Sequence, residues 1–445
     1  MASTVSSINS GRVIDIAAII DASPISAFQY RVIILCGLIA LLDGFDIQAI
    51  AFVAPVLSRE LGIDAVQMGA ILSASPIGIL VGAVMLAPLG DRLGRRPVLL
   101  WGFALVGLAS LVTAWASTTA EFLVCRLLTG VGLGATMPNV VALTLEFVPT
   151  RQRTFLVSLM FCGIPVGGFL GGLAAAAIIP VHGWEPIFVF GGVLPLVICG
   201  LLAWLLPESL RYRAARGESS ASLARDASQV VASYTPQQGD VLRFGEGEQA
   251  VDAPWRRLFD SAVRRTTLTL WAVFFTNFAV LYLLLSWLPT LLVNAGWTLK
   301  GAFAGTSIFM LGGAVGGLVL AWLVDRYGSR RVLTPSFLVT AGAIALLGVA
   351  GETLTIIAIL AFLAGVGTVG TQSCLNVVAA GSYETRVRST GVGWALGVGR
   401  IGAILSPMAG GLALAAGWSS VAMFLLAAVP SAFCAIGMLA LRRTV

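Results

Sequence analysis

The chain has 445 residues, of which 58% are hydrophobic and 11% charged. A soluble globular protein carries about a quarter charged residues, so lipid must be the main solvent of this sequence. The net charge of +6 comes from short basic clusters between apolar runs, the pattern of membrane loops, which argues against a nucleic-acid partner.

A hydrocarbon core of ~30 Å takes about 20 helical residues. Residues 1–30 form an N-terminal segment with Asp15 and Asp21 where a signal peptide would need an unbroken apolar stretch. Six predicted spans follow, at roughly 31–57, 68–90, 97–117, 121–146, 154–179 and 186–206. The stretch 207–262 is polar, and six more spans are predicted at roughly 264–293, 301–323, 331–350, 353–378, 389–415 and 418–440. The expectation is an all-α membrane protein of two six-helix bundles, 31–206 and 263–445, joined by a cytoplasmic loop. With the N-terminus inside, Arg59 and Lys300 fall outside and Arg126 and Arg400 fall within spans; the rest of the 27 basic residues are cytoplasmic. Positive-inside asymmetry with an even span count predicts both termini in the cytoplasm.

The halves repeat. "GDRLGRRPVLL" after span two has a counterpart in "VDRYGSRRVL" after span eight, Asp91 and Asp325 being 234 apart. Pro55 pairs with Pro289, "PTRQRT" with "ETRVRST", "GVGLG" with "GVGTV" and Gly183-Trp184 with Gly417-Trp418, all at offsets of 234 or 235. A duplicated unit in parallel orientation places its sites between the halves near mid-membrane.

Span one carries "LLDGFD". Asp43 is twelve residues past Arg31, ~18 Å along a helix, and Asp46 lies one turn further on the same face. Close, buried carboxylates raise one another's proton affinity, which makes the pair a candidate proton site; the alternative is a static ion pair with Arg126 or Arg400. Gly44 between them weakens the helix locally, consistent with a movable polar site. The loops carrying Asp91, Arg92, Arg95 and Arg96, and Asp325 and Arg326, each turn tightly at a glycine. Two copies at equivalent places suggest gating latches rather than ordinary basic loops.

Arg126 lies ~7 Å inside span four. It can pair with Glu121 or face a polar cavity. Glu146, at the inner end of the same span, is a second proton candidate, or pairs with Arg151 or Arg153. Arg400 in span eleven is ~18 Å beyond Arg388, too deep to snorkel easily, and an intramembrane ionisable residue is functional by default. At offset 234, Asn277 stands opposite Asp43, so the charge is confined to the first half. Phe45, Tyr282 and Trp394 lie deep enough to stack on a planar substrate, although core packing explains any one of them. Trp184, Trp204, Trp271, Trp287, Trp297 and Trp418 are expected as interfacial anchors. "PESLRY" ends span six, where Glu208 can pair with Arg211. The six cysteines and the single His182 suggest neither disulfides nor a metal site. No nucleophile–base pair is visible, and neither an enzyme nor a cofactor is expected.

Over its whole length the sequence resembles the major facilitator superfamily. More narrowly, "LLDGFD", "RLLTGVGLGATMPN" and "RVRSTGVGWALGVGRIGAILSP" resemble the aromatic acid:proton symporters. In the superfamily loop signature a glycine usually stands four residues before the aspartate; Ala87 and Ala321 depart from it mildly. The resemblance implies bacterial uptake of a monocyclic, benzoate-type aromatic carboxylate with protons; the expected location is the inner membrane, and the expected state a monomer. It also implies that Asp43 and Asp46 are the required acidic pair, Arg126 and Arg400 intramembrane arginines, and Arg388, with Arg386 nearby, an arginine of the inner mouth. A symporter of another organic anion (a dicarboxylate, nicotinate-like or phenylpropionate-type acid) is the alternative, and an exporter a weaker one.

Overall fold

The computed structural model describes residues 13–216, 218, 222–223, 228, 230, 241–243, 256–261, 263–350 and 353–441. The side chains of Thr154, Thr385 and Arg386 lie outside that description, as does much of the polar stretch 207–262. Among the described residues, twelve helices are long and apolar enough to cross a membrane. They are α1 (Ala27–Glu60), α2 (Ala65–Leu86), α3 (Arg95–Thr113), α4 (Thr119–Phe147), α5 (Phe155–His182) and α6 (Glu185–Leu205). The second set is α7 (Arg264–Asn294), α8 (Leu299–Tyr327), α9 (Ser329–Leu347), α10 (Leu354–Gly381), α11 (Thr385–Ala415) and α12 (Ser420–Ala440).

Local chemistry sets the helix ends. Ser26, Asp64 and Thr118 cap α1, α2 and α4 in reciprocal boxes with Gln29, Gln67 and Glu121. Among the described residues six glycines have positive φ, and they form three pairs 234 apart: Gly62 and Gly296, Gly94 and Gly328, Gly183 and Gly417. A side chain at such a dihedral is strained, so the duplication is written into the turns as well as the spans. The second predicted span ends earlier than expected. A five-residue π segment, Gly82–Leu86, closes α2, and Leu89–Leu93 form a separate short helix.

The halves meet through α1 on α7, α2 on α11 and α5 on α8. The last two contacts exchange under the sequence offset, as a pseudo-twofold requires. Call the end carrying the Asp-Arg-x-Gly loops the basic face. The close cross-half contacts sit toward the opposite face, where Gly69 lies against Pro407 and Gly411, and Gly172 against Ser307. Between the membrane helices of the halves, among the described residues, two hydrogen bonds form: Ser73 Oγ donates to the Ile404 carbonyl (2.9 Å) and Gln48 Nε2 to the Leu285 carbonyl (3.1 Å). Neither lies at the basic face, so the molecule is shut opposite that face.

On the basic face, a short helix, Ile16–Ala22, buries Ile16 and Ile20 in the same apolar cluster as Leu206, Leu210 and Phe147. Asp21 accepts hydrogen bonds from the Thr150 amide and hydroxyl at 2.5 and 2.7 Å. Just before it, Val13–Asp15 pairs in parallel with Val241–Arg243.

Two expected membrane anchors are instead interior. Trp184 is buried between Phe122 and Phe188. Trp287 is buried with its indole N–H donating to the Pro407 carbonyl at 2.9 Å. Trp184 stands at the start of α6 and Trp287 two turns inside α7, and each faces a neighbouring helix, a distinction that depth along one span cannot make.

Candidate functional site

α1 runs unbroken through Gly44, so this residue does not loosen the helix. A Cβ there would sit 1.9 Å from the Ile164 carbonyl oxygen; Gly44 is what lets α5 lie directly on α1 at the depth of the two aspartates.

Asp46 and Arg126 are both buried, and Arg126 Nη1 lies 3.3 Å from Asp46 Oδ2. Two hydroxyls of α3 complete the cluster. Ser110 Oγ donates to Asp46 Oδ1 and accepts from Arg126 Nη2 (3.2 Å), and Thr113 Oγ1 accepts from the same nitrogen (3.0 Å). The Phe188 ring lies 5.0 Å from the guanidinium carbon. Arg126 is 0% exposed, and its charge is answered within the first half. Glu121 does not pair with it; that carboxylate caps the start of α4.

Asp43 is also buried, but among the described residues its Oδ1 finds no hydrogen-bond partner. Its electrostatic neighbours are Asp46 and Arg400. Arg400 on α11 is half-buried, donates from Nη1 to the Tyr282 hydroxyl at 3.2 Å, and lies 5.8 Å from the Phe278 ring centre. Phe278 and Tyr282, one turn apart on α7, stack at 6.1 Å and 11°. A small cleft opens beside Tyr282 between the halves, lined by Ile47, Leu72, Ser75, Ile79 and Ser286. The site therefore combines a half-exposed guanidinium, a buried carboxyl with one oxygen unpartnered among the described residues, aromatic faces and an apolar cleft.

The other sequence candidates fall elsewhere. Phe45 turns into the first half, its ring over Gly171 and Gly191. Trp394 stacks on Trp271 at 5.6 Å, six residues from Arg400 toward the basic face. Glu146 is held by Arg95, 2.6 Å away in ion-pair contact, rather than by Arg151 or Arg153. Glu208 does not reach for Arg211 but accepts from the Arg95 and Arg96 amides at 2.9 and 3.3 Å. Arg96 donates to the Ala203 carbonyl, the Arg92 carbonyl accepts from Arg216, and Asp91 is exposed, 3.8 Å from Arg95. The two loops are thus unequal. In the second half Asp325 is exposed without an ion pair among the described residues, and Arg326 lies over the Trp322 and Tyr327 rings. Arg388 is exposed, and the side chain of Arg386 lies outside the described residues.

Ser110, Thr113 and Phe278 were missed from sequence. Ser110 and Thr113 had a signal, two hydroxyls three residues apart in an apolar span, which places them on one helical face. Phe278 had none, since one phenylalanine in a span looks like another. No group of three or more candidate metal ligands occurs among the described residues.

Two parallel-related six-helix bundles with polar residues buried between them define a secondary transporter. The sequence profile of the Major Facilitator Superfamily matches residues 36–308 and 303–445, and the chain belongs to that superfamily of transporters; it is not an enzyme. It is 38% identical to the gallate transporter of Pseudomonas putida, over 96% of this chain and 95% of that one. It is 36% identical to the 4-hydroxybenzoate transporter PcaK of Pseudomonas putida, over 96% of each. The crystal structure of a D-xylose-proton symporter shares the fold, with a TM-score of 0.72 at 16% identity, covering 93% of this chain and 97% of that one.

Proposed function

We propose that this protein imports small aromatic carboxylates together with protons across a bacterial inner membrane, as a monomer working by alternating access. The observation that carries the reading is the unequal use of the two intramembrane arginines. Arg126 is sealed and spent on Asp46, whereas Arg400 is accessible beside an unpartnered Asp43. The likeness to gallate and 4-hydroxybenzoate transporters supports the substrate class.

On this reading the substrate carboxylate docks on Arg400, steadied by Tyr282, while its ring uses the Phe278–Tyr282 faces and the apolar cleft. Binding an anion there neutralises Arg400, the cation within electrostatic reach of Asp43. A charged carboxylate oxygen left without a partner in the membrane interior costs several kcal/mol, and a proton on Asp43 removes that cost. Anion and proton therefore bind together. Asp46, fixed by Arg126 and Ser110, supplies the neighbouring negative charge that makes Asp43 the member of the pair to take the proton. The basic face is cytoplasmic, and the arrangement shut on the opposite face is the one that releases substrate inward. Glu146, Arg95 and Glu208 fasten the first half at that face, and Asp91, Asp325, Arg326, Arg386 and Arg388 take part when it closes. One proton per monoanion makes the step electroneutral; each further proton would draw ~2.3 kcal/mol per 100 mV from the membrane potential.

Uptake of radiolabelled benzoate, 4-hydroxybenzoate and 3,4,5-trihydroxybenzoate by cells making the protein, with and without a protonophore, tests this. Uptake above vector-only cells that collapses with the protonophore is expected. Equal uptake in both conditions rejects proton coupling, and uptake at the vector level rejects the substrate class.

A further inference from the structure

The second half carries its own polar cluster, which the scheme above leaves unused. Asn277 on α7 is buried and donates from Nδ2 to Gln372 Oε1 on α10 at 2.8 Å, with the Thr368 carbonyl at 3.5 Å. Gln372 Nε2 in turn donates to Asn376 Oδ1, one turn along α10, at 3.4 Å. Gln372 and Asn376 are half-exposed. Three neutral amides thus form a ladder that runs from the depth of Asn277 toward the basic face.

Two observations argue that the ladder does more than join two helices. First, the fold does not need it. At the 235-residue offset the first half has Met137 for Gln372 and Val141 for Asn376, and both pack on that half's apolar core. The same helix position is filled by hydrocarbon in one copy and by amides in the other. Second, the ladder leaves hydrogen-bonding capacity open. Within the described residues, Asn277 Oδ1 accepts nothing, Asn376 Nδ2 donates nothing, and Gln372 Nε2 uses one of its two hydrogens.

The ladder also begins at the depth of the site. Asn277 directly precedes Phe278, whose ring faces Arg400, and lies ~7.5 Å along the α7 axis from Tyr282, on the face turned toward α10. A phenolic hydroxyl both donates and accepts, as does a carboxamide, whereas a charged residue would favour an ion and an apolar one would reject the hydroxyl.

We propose that Asn277, Gln372 and Asn376 form a subsite for the ring hydroxyl groups of the substrate, so that Arg400 selects for the carboxylate and the amide ladder for hydroxylated rings. This rests on the aromatic-carboxylate reading above. A site built to hydrogen-bond a substrate hydroxyl discriminates strongly against the analogue that lacks it, because its polar groups are then left unpaired.

The test measures KM for benzoate, 4-hydroxybenzoate and 3,4,5-trihydroxybenzoate uptake in wild type and in Gln372→Met and Asn376→Val, which install the first half's residues at the equivalent positions. In wild type, KM for benzoate should exceed that for the hydroxylated acids at least tenfold, a readout that needs no variant to fold. In each variant the benzoate-to-hydroxybenzoate KM ratio should fall about tenfold. A ratio that stays within twofold of wild type makes the ladder a helix brace and overturns the subsite. So does a wild type that carries all three acids with equal KM. If wild type carries none of them, the aromatic-carboxylate reading fails and the subsite falls with it, an outcome distinct from the others.

Discussion

Replacing Asp46 with Asn removes one charge from the buried Asp46–Arg126 pair and changes little in size. At the observed 3.3 Å separation, two unit charges attract by ~5 kcal/mol at an effective dielectric constant of about 20. Removing one partner of a buried pair costs ~3–5 kcal/mol, because the other charge is stranded. The carboxamide oxygen of the new side chain would still accept from Ser110 or Arg126, which recovers ~1 kcal/mol. The net expected loss is ~2–4 kcal/mol of stability, or about 30- to 1,000-fold in the folded-to-unfolded ratio. Arg126→Gln should lose a similar amount for the mirrored reason. In the double variant Asp46→Asn/Arg126→Gln both charges disappear together, so it should lose about as much as one single variant rather than the sum of the two, a coupling of ~2–4 kcal/mol. Thermal unfolding of the four purified proteins in detergent measures this. Proton-driven uptake in proteoliposomes should nonetheless be lost in all three variants, separating the pair's part in stability from its part in transport. If either single variant is as stable as wild type, or if the double loses the sum of the single losses, the buried-pair argument is wrong.

Arg400 is half-exposed, so Arg400→Gln should leave thermal stability close to wild type yet raise the substrate KM at least ~30-fold, as expected for a charge-assisted contact; unchanged KM would remove Arg400 from the carboxylate site. Tyr282→Phe deletes one hydrogen bond to that guanidinium and should raise KM by about 2- to 12-fold. A Cβ on Gly411 would lie 2.3 Å from the Ala65 carbonyl oxygen, so Gly411→Ala should push α2 and α11 apart. Strain of ~1–3 kcal/mol would bias the molecule away from the state shut opposite the basic face, seen as faster amide exchange over residues 65–73 and 404–411 and as slower uptake. The Thr150 amide hydrogen bond holds the Asp21 carboxyl below the usual carboxylate range. A group whose folded pKa is lowered contributes stability above its unfolded value, near 3.9, that is lost as pH falls through the folded value. Exchange in residues 16–22, corrected for intrinsic rate, should therefore be flat from pH 7 to 5 and rise below about 4, and Asp21→Asn should abolish that dependence.

The twelve spans, the duplication and the superfamily could all be read before any coordinate was known. Lipid imposes one-dimensional constraints: about 20 apolar residues per crossing, and irregular backbone confined to loops. Duplication preserves spacing, so the pairs 234 apart appear in the sequence and again as positive-φ glycines. The position of Asp43, Asp46, Arg126 and Arg400 along their helices was equally legible, because it is rise per residue counted from a loop. Partnership was not. Arg126 had Glu121 five residues away in the chain, yet its partner is Asp46, eighty residues away. Phe45 and Tyr282 were equivalent as deep aromatics, yet one fills the first half and the other touches Arg400.

The sequence by itself thus determined the solvent, the number of crossings, the repeat and how far along its helix each charge lies. Tertiary structure alone decided which arginine is sealed against an aspartate and which stays half-exposed beside a tyrosine. That choice depends on rotation about each helix axis and on which small residues let two helices touch, as Gly44 does for α1 and α5. A one-turn displacement is visible in a count of residues, but the direction a side chain takes around its helix acquires meaning only from the neighbours packed there.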